Sequence, residues 1–217
     1  LLPGCLSFAL KDSSRDPAPP EIINKNKGVK GMSADLKNQK ILILVSNGVD
    51  EGVMSPVQRE MIRVGAVVKT VGTENGLVNS WNNNAWGLYF PVDQHIGQTL
   101  GADFDALIVP SGARSVQKLG SNPHAERIIA SFITAGKPMT FIGDAVELLA
   151  KTGLATGWKV SGPEKLHQIM LAAGSEWQGG EDCVHNILQT GAASDLGAFL
   201  SSMVRHLSGK SEVKAAA

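Results

Sequence analysis

Cysteine is nearly missing from this chain: Cys5 and Cys183 are the two present in 217 residues. Two cysteines cannot make a disulfide framework, and no Cys/His group has the spacing of zinc ligands. An excess of charge of either sign is missing too. Twenty basic residues balance twenty acidic ones, and the pI is about 7.1. This removes the broad electrostatic footprint that nucleic acid or anionic lipid would need. No apolar run reaches the eighteen or so residues of a membrane span. No G-x-G-x-x-G follows the first expected strand, and Gly209-Lys210-Ser211 lacks the upstream glycine of a phosphate-binding loop. The expectations are therefore a cytoplasmic chain with no cofactor, no metal, no nucleic acid and no membrane among its partners.

What is present suffices for one folded domain. The chain is 43% hydrophobic and 18% charged, which supports a core and is too weakly charged for a disordered chain. Residues 1–39 read as an arm, leader or linker, broken by Pro17, Pro19, Pro20 and Gly28. Leu2-Pro3-Gly4-Cys5 faintly resembles a lipobox, and Met32 is the expected natural start. Residues 208–217 are small and polar and read as a frayed tail.

Between them the pattern is regular. Lys40-Ile-Leu-Ile-Leu-Val-Ser46 has the form of a strand buried on both faces. Ser55-Pro56-Val57-Gln58 reads as a capping box opening a helix that stops near Gly65. A strand over 66–71 and a hairpin within 77–92 should follow. Further strands are expected at 106–110 and 138–143, with helices over 122–135 and 145–151. Helices over 164–173 and 195–207, with a hairpin at 181–189, complete the pattern. Strands and helices alternating through short turns imply an α/β sandwich with a parallel sheet covered on both faces.

In such a sheet, ligands bind beyond the carboxyl ends of the strands. The places to inspect are Asn47–Glu51, Pro110–Ala113 and Ile142–Ala145. Lys40-Ile-Leu-Ile-Leu with Gly48-Val49-Asp50-Glu51 is one piece of a larger pattern. Phe104-Asp105-Ala106-Leu107-Ile108-Val109-Pro110-Ser111-Gly112 is another, and Gly136-Lys137-Pro138 with Ile142-Gly143-Asp144 and Leu148-Leu149-Ala150 a third. In this order and spacing they resemble the DJ/PfpI superfamily, the group of the parkinsonism-associated deglycase and the PfpI protease.

The resemblance covers roughly Lys40 to Leu207. It implies a flavodoxin-like three-layer sandwich of the class I glutamine amidotransferase-like kind, acting as a homodimer. It also implies a cysteine on a tight strand-to-helix turn, a carboxylate beside it and a Gly-Gly oxyanion turn. Here Gly143 stands at the cysteine position, Ser111 replaces the first glycine, Gly112 remains, and Asp50 matches the carboxylate. A similar domain without a working elbow occurs in large-subunit catalases, for which the proline-rich arm would suit a linker.

The pocket candidates are Asp50, Glu51, Ser111, Gly112, Gly143 and Asp144. For Asp144 the favoured expectation is a helix cap, because Asp144-Ala145-Val146-Glu147 has the D-x-x-E form. The alternative is a carboxylate pair with Asp50 or Glu51, able to share a proton or hold a cation. Cys183 and His185 would share a face if they lie on a strand, although a buried core role suits Cys183 better. His95, His124, His167 and His206 are expected singly on surfaces or caps. Trp81, Trp86 and Tyr89 could pack the hairpin, line a pocket or meet a second copy. The expected function is a non-catalytic binding, stress-related or assembly module for a small-molecule ligand. Its rival is a cysteine-independent enzyme acting on a small carbonyl compound through Asp50, Glu51 and Asp144.

Overall fold

A computed structural model describes residues 36–178, 182–184, 187–189 and 196–208. Strand β1 (Lys40–Val45) is the apolar run, with Ile41 to Val45 fully buried. A two-residue strand, β2 (Val49–Asp50), leads directly into α1 (Glu51–Arg63). Then come β3 (Val67–Gly72) and the hairpin of β4 (Leu77–Asn82) and β5 (Ala85–Pro91). Asn83 and Asn84, at φ 47° and 61°, form its turn. Asparagine tolerates this left-handed backbone, which matches the twist of a tight hairpin.

The chain continues through β6 (Gln94–His95), β7 (Ala106–Val109), α2 (Ala113–Gly120) and α3 (Pro123–Thr134). After β8 (Met139–Phe141) a 3-10 turn over Gly143–Val146 precedes α4 (Glu147–Lys151). Next are β9 (Lys159–Val160), a 3-10 turn over Glu164–Leu166, α5 (His167–Ala172) and β10 (Glu176–Trp177). The described part ends with β11 (Asp182–Val184), β12 (Ile187–Gln189) and α6 (Leu196–Leu207).

Seven strands form the main sheet in the order β11-β12-β8-β7-β1-β3-β6. Only the β11–β12 pair is antiparallel. The run β3-β1-β7-β8-β12 has the flavodoxin-like order, with its switch point between β1 and β7. Alternate residues of the central strands feed two cores, as a period of two requires. Leu42, Leu44, Leu107 and Val109 join residues of α2, α3 and α4 on one face. Ile41, Ile43, Val45 and Ile108 join residues of α1 and α6 on the other. The fold is thus a flavodoxin-like α/β sandwich.

Three local expectations are corrected. Helix α1 begins at Glu51 rather than Ser55, because Asp50 caps it: Oδ1 accepts from the Gly52 amide at 2.8 Å. Pro56 therefore lies inside the helix. Helix α2 was not expected at all; its cap position is Gly112, which has no side chain to signal a start. His206 is buried rather than on a surface, with Nε2 3.1 Å from the Met139 carbonyl oxygen in β8. The arm up to residue 35, the tail from 209 and His185 lie outside the described residues, as does the side chain of Cys183.

Candidate functional site

A cleft of about 390 Å³ opens at the carboxyl ends of β1, β7 and β8. Gly48 and Asp50 reach it from the turn after β1, and Ser111 and Gly112 from the turn after β7. Gly143 and Asp144 enter after β8, while Trp81, Arg114, Pro163 and Lys165 build the walls. Five of the six sequence candidates thus meet in one place. The sixth, Glu51, is turned away into the hairpin.

The first two turns touch closely because Gly112 has no Cβ. Its φ is +136°, and a Cβ there would lie 2.7 Å from the Gly48 carbonyl oxygen and 2.8 Å from the Asp50 nitrogen. Both the backbone conformation and the contact require glycine. The Asp50 amide donates to the Ser111 carbonyl at 2.9 Å, which ties the two turns together. The Ser111 hydroxyl donates to Asp50 Oδ2 at 3.3 Å.

Asp144 is not a helix cap, which corrects the favoured sequence reading. Neither the 3-10 turn it enters nor α4 has a side-chain cap. Its Oδ1 instead accepts from the Gly112 amide at 2.9 Å, across the cleft. Glu147, the other half of the supposed capping box, pairs with Lys151 at 3.0 Å. Burial pushes the Asp144 carboxyl above the ordinary range, against the lowering effects of the Gly112 amide and Lys165. The Asp50 and Glu147 charges add to the rise. Asp50 and Asp144 thus face one cleft, each anchored to a different donor.

Gly143 sits at φ +60° in the turn leaving β8. A Cβ there would meet one neighbour within 4 Å, Ser111 Cβ at 3.3 Å. The cleft is open at this point. Glu51 accepts instead from the Ser80 hydroxyl at 2.8 Å and the Leu88 amide at 2.9 Å. Those two donors hold its carboxyl below the usual range.

Trp81 forms part of the cleft wall. The Trp86 ring packs edge-on against it at 5.0 Å between centroids, while Trp86 and Tyr89 remain largely exposed. Phe141 is fully buried in the core, so neither it nor Trp86 fills the cleft. His95 caps a short turn by accepting from the Gly97 amide, and His167 stacks on Trp177 and meets Glu164. Cys183 belongs to β11, at the edge of the sheet. Among the described residues, no cluster of three or more His, Cys, Asp or Glu could hold a metal ion. No described helix is long and apolar enough to cross a membrane. Sequence reasoning passed over Arg114 and Lys165, single charges with no local signature.

The DJ-1/PfpI family model matches residues 39–206. The chain belongs to the DJ-1/PfpI family. Among DJ-1/PfpI relatives, Deglycase PH1704 of Pyrococcus horikoshii is 25% identical over 169 residues, covering 77% of this chain and 99% of its own. Catalase HPII of Pseudomonas aeruginosa is 27% identical over 123 residues, 57% of this chain but 17% of the catalase. DJ-1beta of Drosophila melanogaster superposes with a TM-score of 0.70 at 18% identity, covering 80% of this chain and 92% of that one. A two-domain protein of Anabaena variabilis, with DJ-1/ThiJ/PfpI-like and ferritin-like domains, gives 0.73 at 19% identity. That match covers 83% of this chain and 52% of the Anabaena chain. These two likenesses concern the fold.

Proposed function

We propose that the chain is a ligand-binding module of the DJ-1/PfpI family whose cleft operates without a nucleophile. The observation that carries this reading is Gly143, which occupies the turn after β8 at φ +60° and presents no side chain. A thiolate at such a turn is what nucleophilic chemistry would require. No thiol lines the cleft, whose polar groups are carboxylates, a hydroxyl and two cations.

One observation favours a second reading. Asp144 is a largely buried carboxyl whose proton affinity is raised, and Asp50 faces it. That is the arrangement of a general acid or base acting on a small carbonyl compound. Turnover of methylglyoxal by the purified protein, beside Asp144→Asn, separates the two. The binding module predicts equal rates at the buffer background. Activity that disappears in the variant would replace it with the enzyme.

The module is further proposed to work as a homodimer. Residues 77–92 carry no charge, and β5 is an edge strand that exposes Trp86, Leu88 and Tyr89. Such an edge pairs with its own copy without like-charge repulsion. Light scattering on the purified protein reads the mass directly, and a monomer at micromolar concentration would remove this part.

A further inference from the structure

Arg114 is the least explained group of the cleft. It is an exposed residue in the first turn of α2, and its guanidinium lies 3.9 Å from the centre of the Trp81 ring. Its stem runs over Gly48, where a Cβ would collide with the Arg114 Cβ and lie 3.2 Å from its Cδ. Gly48 and Trp81 therefore hold the side chain between them. Among the described residues Arg114 has no carboxylate partner and donates no side-chain hydrogen bond. Stacking uses the face of the guanidinium and leaves its in-plane N–H donors free. A fork fixed in advance loses little freedom when it binds, and its geometry matches a carboxylate.

Lys165 stands on the same cleft and also makes no ion pair with a described residue. Opposite these cations are Asp50 and Asp144. Their hydrogen bonds use Asp50 Oδ1, Asp50 Oδ2 and Asp144 Oδ1, so Asp144 Oδ2 accepts from no described group. The cleft thus offers two cations and two carboxylates to one small occupant.

This pattern sorts ligand classes by charge. A dianion such as a phosphate monoester would meet two carboxylates. A divalent metal would meet two cations and lacks a cluster of three acidic or imidazole ligands among the described residues. A molecule carrying both signs satisfies both sides. We propose that the cleft binds a free α-amino acid as its zwitterion, with Arg114 and Lys165 taking the carboxylate and Asp144 and Asp50 taking the ammonium group. Pro163 and the edge of Trp81 supply apolar surface for a small side chain. The inference rests on the reading of the chain as a binding module.

Isothermal titration calorimetry of the full chain tests it, with alanine, leucine, N-acetylleucine, leucinamide and inorganic phosphate as probes. The expected result is binding of leucine or alanine. N-acetylleucine lacks the ammonium and leucinamide the carboxylate; each should bind at least roughly tenfold more weakly than leucine. Arg114→Gln should weaken leucine by a similar factor and leave leucinamide unchanged, with circular dichroism confirming the fold. Lys165→Gln provides a second, exposed variant if Arg114→Gln does not fold. Absence of binding by both amino acids would overturn the proposal. So would equal binding of leucine and its two derivatives, tighter binding of phosphate, or indifference to Arg114→Gln. The methylglyoxal assay is independent: background turnover without amino-acid binding removes this inference and leaves the non-nucleophilic reading intact.

Discussion

Asp144 and Gly112 are joined across the cleft, the carboxylate of the first accepting the amide hydrogen of the second at 2.9 Å. This bond latches the turn after β8 to the turn after β7. It also satisfies an amide at the start of α2, where Gly112 has no side chain to do so. A residue that looks like the cap of its own helix serves the start of another.

The latch predicts a pH-dependent effect of Asp144→Asn. The folded carboxyl titrates above its ordinary value of 3.8, because burial disfavours its charge. Its contribution to stability is therefore fully present below 3.8 and is lost as pH rises through the folded value. Asparagine keeps the oxygen that accepts from Gly112 and carries no charge. The variant should melt a few degrees above the parent at neutral pH, and the gap should close in acid. Thermal scans across pH check this; a variant less stable than the parent at neutral pH would contradict it.

Two glycines with positive φ should differ sharply when changed to alanine. Gly76 has φ +86° and nothing within 4 Å of its would-be Cβ, so Gly76→Ala should cost about 1 kcal/mol of backbone strain. Gly112→Ala adds contacts below 3 Å with the Gly48 oxygen and the Asp50 nitrogen. It should cost about 3 kcal/mol or more. Urea unfolding of both variants measures the difference, and equal losses would deny that the two turns touch.

Glu51 should govern the hairpin rather than the cleft. Its carboxyl is held low by the Leu88 amide and the Ser80 hydroxyl, so its contribution is present above the ordinary 4.5 and fades as pH falls through the folded value. Glu51→Ala should speed hydrogen exchange at Leu88 and leave exchange in β7 unchanged. Glu51→Gln keeps an acceptor and should have a smaller effect. Amide exchange read by NMR distinguishes the three proteins.

Gly143→Cys should place an accessible thiol in the cleft. The φ of +60° costs a side chain about 1–2 kcal/mol, and Ser111 Cβ at 3.3 Å must give slightly. The variant should fold, and iodoacetamide should modify residue 143, as peptide mass spectrometry can localise. A folded variant that stays unmodified there would show that the cleft is closed at Gly143.

How much of this was legible depended on whether the deciding contact was local. The apolar runs of β1 and β7 reveal buried strands because burial on both faces leaves no polar position in them. Asn122 before Pro123 marks α3, and the side chain does accept from the His124 amide at 2.9 Å. Asp50, Ser111, Gly112, Gly143 and Asp144 could be gathered in advance because parallel strands bring their carboxyl ends together. The role of Asp144 could not, since its partner lies 32 residues away and a capping box is a purely local rule. Arg114 was invisible for the same reason: its position depends on Trp81 and Gly48, which fold onto it from other strands. Glu51 lies beside Asp50 in sequence, yet it faces another way because Asp50 takes the cap and the hairpin takes Glu51.

The place of β12 in the sheet bears on how the molecule is made. Every segment lining the cleft lies between Gly48 and Lys165, yet β8, which carries Gly143 and Asp144 at its end, has β12 (Ile187–Gln189) as its outer neighbour. While the chain leaves the ribosome, β8 is an open edge until that later segment arrives, and synthesis at roughly 5–20 residues per second makes this interval seconds long. A premature stop before Ile187 would yield a product with all of its cleft residues and an unpaired, buried-type strand. Such a fragment is a substrate for chaperones and proteases rather than a smaller working module.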